Sequence, residues 1–207
     1  MYHFFVEPHQ IGAEEIRIEG ADVNHIRNVL RMKPGEEILI SSREGGDYFC
    51  RVEELEPEYV SAKILEEWEN KELPARIHLF QGLPKGDKME LIIQKAVELG
   101  VYRVIPVSMK RSVVKLDAKK ADAKRKRWNA VSESAAKQSK RSLIPEVAPL
   151  MTYKEAVKEA AGYDMVLLPY ESADGIRKTR ELLASVKPGT DIAVFIGPEG
   201  GFEDEEV

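Results

Sequence analysis

Apolar residues recur along this chain in two different rhythms, and the rhythm changes once, near residues 70–74. Upstream, short alternating runs at His3–Val6, Glu37–Ser41, Tyr48–Glu54 and Tyr59–Leu65 are separated by Pro34-Gly35, Gly45-Gly46-Asp47 and Glu56-Pro57-Glu58, which are turn-forming combinations. Residues 1–72 are therefore predicted to form a small β-barrel or sandwich. One helix interrupts it, with Asp22 as N-cap, Val23, Ile26 and Leu30 facing inward, and Pro34-Gly35 as the stop. That spacing predicts Arg27 and Arg31 one turn apart on a shared face. Downstream, residues 73–207 alternate strand runs with helical patterns: Arg76–Gln81 then 87–99, Arg103–Val107 then 118–140, Asp164–Leu168 then 175–185, and finally Asp191–Ile196. Such alternation implies an α/β domain with a parallel sheet covered by helices. The polar segment Glu66–Pro74 supplies the boundary.

The helix at 87–99 has Asp87 and Glu90 at capping-box spacing. Met89, Ile92, Ile93 and Ala96 form its apolar stripe, and Gly100 stands at its stop. The last strand leads into Gly197-Pro198-Glu199-Gly200-Gly201-Phe202, followed by Glu203-Asp204-Glu205-Glu206, an acidic first turn of a further helix. A strand, a glycine loop and a helix start bring backbone N–H groups to a ligand at the carboxyl end of a sheet. This loop is neither a dinucleotide fingerprint nor a phosphate loop ending in Lys-Ser/Thr. Its acidic neighbours favour a zwitterionic or adenosine-type ligand over a triphosphate.

Charge is distributed unevenly. Residues 1–73 hold 8 Lys and Arg against 17 Asp and Glu, residues 74–145 hold 17 against 6, and residues 146–207 hold 6 against 13. A basic middle between acidic ends is expected where a polyanion is gripped locally, although a solvated lysine-rich helix face gives the same pattern. Within the basic helix Trp128, Val131 and Ala135 fit a buried stripe. Arg127, Lys137, Gln138 and Arg141 are then available to phosphates.

Other chemistries find no support. The longest apolar run is the five residues Ile192–Ile196, against the ~20 of a membrane-spanning helix. No secretory signal opens the chain, and cytoplasm is the expected compartment. A single cysteine, Cys50, excludes an internal disulfide and a thiolate-rich zinc site. His3, His9, His25 and His78 lack metal-ligand spacing, so no metal is expected.

Six stretches in order carry a resemblance: Asn24–Met32, Lys85–Glu90, Gln94–Val101, Arg111–Val114, Glu133–Arg141 and Ile196–Phe202. Together they resemble the family of small-subunit ribosomal RNA methyltransferases that act on N3 of a uridine in 16S rRNA, within the SPOUT superfamily. The resemblance implies an amino-terminal PUA-like RNA-binding barrel and an α/β-knot methyltransferase domain that works as a homodimer on 16S rRNA or the small ribosomal subunit. It implies S-adenosyl-L-methionine as cofactor, held by Ile196, Gly197, Pro198, Glu199, Gly200 and Gly201, with Leu168, Pro169, Tyr170 and Glu171 as a neighbouring wall. Arg27, Arg31, Arg127, Lys137, Gln138 and Arg141 are expected to orient RNA. Arg111 is the candidate catalytic cation for oxyanion character at the uracil O2 or O4, the alternative being a simple pairing with local carboxylates. A helix, a strand and a knot-forming stretch are expected after the glycine loop. They would lie beyond Val207, so the knot segment is expected to be absent from this chain and the cofactor to be held weakly. A ribosomal-RNA-binding protein without catalysis is the alternative function.

Overall fold

A computed structural model describes residues 1–43, 45–170 and 176–207. Its contacts divide the chain into two units, Met1–Glu72 with Ala136–Ile144, and Leu73–Ala135 with Pro145–Val207.

The first unit is a five-stranded half-barrel. β1 (Tyr2–Val6), β2 (Glu15–Glu19), β3 (Glu37–Ser42), β4 (Asp47–Leu55) and β5 (Tyr59–Trp68) stand in the order β1-β3-β4-β5-β2. The β1–β3 pair is parallel and the others are antiparallel. Two register shifts between β4 and β5, at Phe49/Cys50 and Val52/Glu54, mark the kind of irregularity that bends a sheet around its core. The core includes Phe4, Ile16, Ile18, Ile38, Ile40 and Cys50. Burial pushes the Cys50 thiol up to about 12, which leaves it an inert apolar filler. Buried His3 places Nε2 2.8 Å from Ser41 Oγ, and the Ser41 hydroxyl donates to Asp47. Burial pulls the imidazole down to about 4, so it is neutral in the folded chain at pH 7.

The helix between β2 and β3 departs from expectation. Gly20, at φ 74°, is the N-cap of α1 (Ala21–Asn24), and Asp22 lies inside the first turn, where its carboxylate meets Lys137 Nζ at 3.2 Å. The helix then widens into a π-helical turn, His25–Val29, which closes when Leu30 N–H donates to His25 O at 2.9 Å. Arg31 follows at φ 55°, so it does not continue the helical face of Arg27.

The second unit is built on β6 (Arg76–Gly82), α2 (Lys88–Glu98), β7 (Arg103–Ser108), α3 (Ala118–Ser139), β8 (Glu146–Val147), β9 (Met151–Thr152), α4 (Tyr153–Ala160), β10 (Met165–Leu167), α5 (Ile176–Ala184) and β11 (Asp191–Ile196). The last four residues of α3 belong to the first unit. All strand pairs are parallel, in the order β10-β11-β6-β7-β8, with β9 also on β7. Phe80 of β6 and Phe195 of β11 stack with ring centroids 4.5 Å apart at the centre of this core. Truncating either to alanine should cost about 3–5 kcal/mol. On α2 the buried residues are Met89, Ile93 and Val97, while Ile92 and Ala96 are half-buried. Asp87 is the N-cap of α2 but its side chain makes no capping bond, standing 3.9 Å from Lys124 Nζ, and the Glu90 carboxylate, which would complete a capping box, is turned to Arg127.

At the amino end of the sheet, Arg76 donates from Nε and Nη2 to Asp191 at 2.8 and 2.6 Å, and buried His78 places Nε2 2.8 Å from the same carboxylate. The Arg76 guanidinium, ahead of the His78 bond, holds the Asp191 carboxyl below its ordinary value.

Candidate functional site

At the carboxyl end the same strand opens into the glycine loop. β11 lies between β10 and β6, so the loop emerges beside the ends of both neighbours. It folds as a tight turn in which Gly201 N–H donates to Pro198 O at 2.8 Å. Gly201 sits at φ 71°, a region glycine occupies without strain. Against β6, Pro198 rests directly on Gly82, where an added Cβ would lie 2.7 Å from Pro198 N and Cδ. Only a residue without a side chain allows that approach.

A pocket of about 370 Å³ opens there. Arg111, Pro169, Tyr170, Gly197, Pro198 and Gly201 line it, with Phe202 and Asp204. Of the predicted cofactor residues, Pro169, Gly197, Pro198 and Gly201 are thus brought together. Leu168 packs instead against the core that includes Phe80 and Phe195, Ile196 is 37% exposed and outside the lining, and Glu171 lies outside the described residues. The Glu199 carboxylate accepts from the Lys85 N–H at 3.1 Å and from Lys88 Nζ at 2.9 Å. The Lys88 ammonium, with backbone N–H donors, draws the Glu199 carboxyl down to about 2.

Arg111 crosses from the end of β7 to the loop. Its Nη1 donates to Gly200 O at 2.8 Å and its Nε to Glu203 Oε1 at 2.9 Å. The Glu203 carboxylate raises the guanidinium above its ordinary value. The acidic residues after the loop form a 3₁₀ turn, Asp204–Glu206, in place of the expected α-helical turn. Glu206 is buried, accepting from Lys110 N–H at 3.0 Å and Glu203 N–H at 2.9 Å, while Tyr153 donates its hydroxyl to the Glu206 carbonyl.

Sequence reasoning missed Phe202 and Asp204 at the pocket, Gly82 behind Pro198, and Lys85 and Lys88 on Glu199. A glycine closing an apolar strand was the available signal for Gly82. No local signal announces a partner more than 100 residues away.

The predicted RNA-contacting side chains differ in exposure and in partners. Arg27 is half-buried, whereas Arg31 and Gln138 are exposed. Arg127 pairs with Glu90 at 2.7 Å and Lys137 with Asp22. Arg141 is only 8% exposed, and its Nε sits 2.8 Å from both carboxylate oxygens of Glu72. Glu72 also accepts from Ser142 N–H at 2.8 Å. Trp128 and Ala135 are buried and Val131 half-buried, as the stripe predicts. Among the described residues no group of three or more His, Cys, Asp or Glu is placed to hold a metal, and no helix is long and apolar enough to cross a membrane.

Comparison with known proteins matches residues 71–207 to an RNA methyltransferase domain and residues 18–65 to an RNA methyltransferase PUA domain. The ribosomal RNA small subunit methyltransferase E of Bacillus subtilis is 37% identical over 215 residues, spanning 100% of this chain and 84% of that protein. A solved ribosomal RNA small subunit methyltransferase E from Neisseria gonorrhoeae, bound to S-adenosyl methionine, superposes with a TM-score of 0.78 at 30% identity, covering 100% of this chain and 83% of that one. A crystal structure described only as a hypothetical protein superposes with a TM-score of 0.90 at 38% identity, covering 99% of this chain and 83% of that one.

Proposed function

The chain belongs to the ribosomal RNA small subunit methyltransferase E family, and from that premise we propose that it transfers a methyl group from S-adenosyl-L-methionine to N3 of a uridine in 16S ribosomal RNA. The observation that carries this reading is the pocket of about 370 Å³ framed by Pro169, Gly197, Pro198 and Gly201. Its size falls within the roughly 300–1,000 Å³ of small-molecule sites. Its lining also suits a zwitterion, with backbone around the loop, Arg111 as a cation and Asp204 as an anion. The close approach of Pro198 to Gly82 holds the loop against the sheet so that the hollow keeps its shape.

When bound, S-adenosyl-L-methionine supplies an electrophilic methyl. The protein's task is then to place a uracil N3 in line with that methyl and to favour release of the imide proton to solvent as N3–CH3 forms and the S–CH3 bond breaks, leaving a neutral thioether, so positioning supplies much of the rate. A pairing-edge nitrogen must be unpaired or turned out of a helix to be reached, which favours loop or single-stranded RNA. Arg111 lines the pocket with three of its five N–H groups engaged by Gly200 and Glu203. In this reading the remaining N–H groups meet negative charge developing on the uracil carbonyls.

The half-barrel, residues 1–72, acts as the RNA-binding module and 73–207 as the transferase domain. Arg27, Arg31, Arg127, Lys137 and Gln138 meet the RNA backbone, and Arg141 serves the fold through Glu72. The enzyme acts as a homodimer in the cytoplasm, where ribosomal subunits are assembled. The outward Leu91 and Leu99 of the α2 region, 58% and 79% exposed, support a second copy. Incubation with methyl-labelled S-adenosyl-L-methionine and small-subunit RNA tests the activity. Label on uridine N3 is the expected result, and RNA retained without label would replace this reading with a binding-only one.

A further inference from the structure

The glycine loop would be expected to offer every residue to its ligand, yet Glu199 points elsewhere. Its carboxylate spans from the loop to the segment before α2, accepting from the Lys85 N–H at 3.1 and 3.3 Å and from Lys88 Nζ at 2.9 Å. Glu199 does not line the pocket, although its neighbours Pro198 and Gly201 do. On the other side of the loop Arg111 grips the Gly200 carbonyl at 2.8 Å. The loop is therefore pinned at adjacent residues from two directions, by groups 111 and 89 residues away in sequence.

Deepening the reading above, on which its catalytic meaning rests, we propose that Glu199 is a positioning residue: it straps the glycine loop to Lys85 and Lys88 and thereby shapes the cofactor pocket without touching the cofactor. A turn rich in glycine has many accessible conformations, and each external tether removes some of them before a ligand arrives. The charge-assisted bonds to Lys88 and the Lys85 N–H supply the tether. The ion pair itself is partly exposed, with side chains 62% and 34% accessible, so its effect is local to the loop.

The test is amide hydrogen exchange of the cofactor-free chain, read at Gly200 and Gly201, together with the Kd for S-adenosyl-L-methionine. Glu199→Ala should speed exchange at Gly201 about tenfold and weaken the cofactor by a similar factor, the size of effect expected from losing a charged hydrogen bond. Lys88→Met should move both readouts the same way by less, because the Lys85 N–H remains. Glu199→Gln, which keeps an acceptor, should restore part of the protection. Melting temperature should stay near that of the parent in all three. A direct cofactor ligand behaves differently: Lys88→Met would then leave both readouts unchanged. That result, or unaltered Gly201 exchange in Glu199→Ala, overturns the proposal. If Glu199→Ala does not fold, Lys88→Met carries the decision. A parent chain that fails to bind S-adenosyl-L-methionine would defeat the functional reading, and the exchange rates would still decide whether the strap exists.

Discussion

The two ends of β11 solve opposite problems with the same strand. At its amino end Asp191 is locked by Arg76 and by the buried His78, and side chains close the structure over the sheet. At its carboxyl end side chains give way to Gly197, Gly200 and Gly201, and a hollow opens among Pro169, Tyr170 and Pro198. An ion-pair network gains from being filled and static. A ligand site needs backbone brought close and space left beside it, so its order comes from tethers outside the hollow, on Glu199 and Gly200. Stability and chemistry are thus kept a strand's length apart.

The largest expected effect breaks the open end. Gly82→Ala puts a Cβ 2.7 Å from Pro198 and 2.9 Å from the Met109 sulfur. Displacing the loop by a fraction of an ångström to an ångström should cut methyl transfer about a hundredfold, while overpacking costs about 1–3 kcal/mol of stability. Initial-rate assays beside thermal melts measure both. Breaking the closed end should do the reverse. Asp191→Ala strands Arg76 and His78, and because the Asp191 and Arg76 side chains are 27% and 47% exposed, the loss should be about 2 kcal/mol, below that of a fully buried pair. Calorimetric titration of the folded variant should show cofactor affinity unchanged.

Acid distinguishes the ends further. The Glu199 carboxyl is depressed from 4.5 to about 2, so the strap is fully present above pH 4.5 and is lost as pH falls through about 2. Asp191 is likewise depressed from 3.8, so its contribution to stability is present above that value and fades only below it. Exchange at Gly201 should therefore hold steady from pH 7 to pH 4.5 and rise beyond the intrinsic pH dependence as pH drops toward 2. The smallest effect is a control for ion pairing as such. Lys126 and Asp122 meet at 2.9 Å on α3 with side chains 78% and 58% exposed. Lys126→Ala should cost no more than about 0.5 kcal/mol in a chemical melt.

Much of this contrast is legible in the sequence because it is local. The strand run Asp191–Ile196 and the glycines after it stand together, and helix–strand alternation alone announces a parallel sheet. β2 carried a readable rhythm too, since Glu15–Glu19 alternates charged residues with the buried Ile16 and Ile18, although the run is short. α4 carried a readable signature, since Thr152 and Glu155 form a capping box at its start. The π-helical turn at His25–Val29 has no such signature, and it removes Arg31 from the face that regular helical spacing assigns it. Charge was the least transferable clue. Within the basic run, read as a surface for a polyanion, Arg125, Lys126, Arg127 and Arg141 each also face a carboxylate supplied by the chain itself, which leaves the Arg127 side chain 62% exposed and that of Arg141 only 8%. Composition counts charges but not their partners, and partners such as Glu72 for Arg141 are set by tertiary structure.

Which end of β11 receives the methyl donor is read most directly by residue-resolved amide exchange with and without saturating S-adenosyl-L-methionine. Added protection at Gly197, Gly200 and Gly201 and at Tyr170, with none at Arg76, His78 or Asp191, is the predicted result. Protection that spares the loop, or that appears only at the amino end of the sheet, would contradict it.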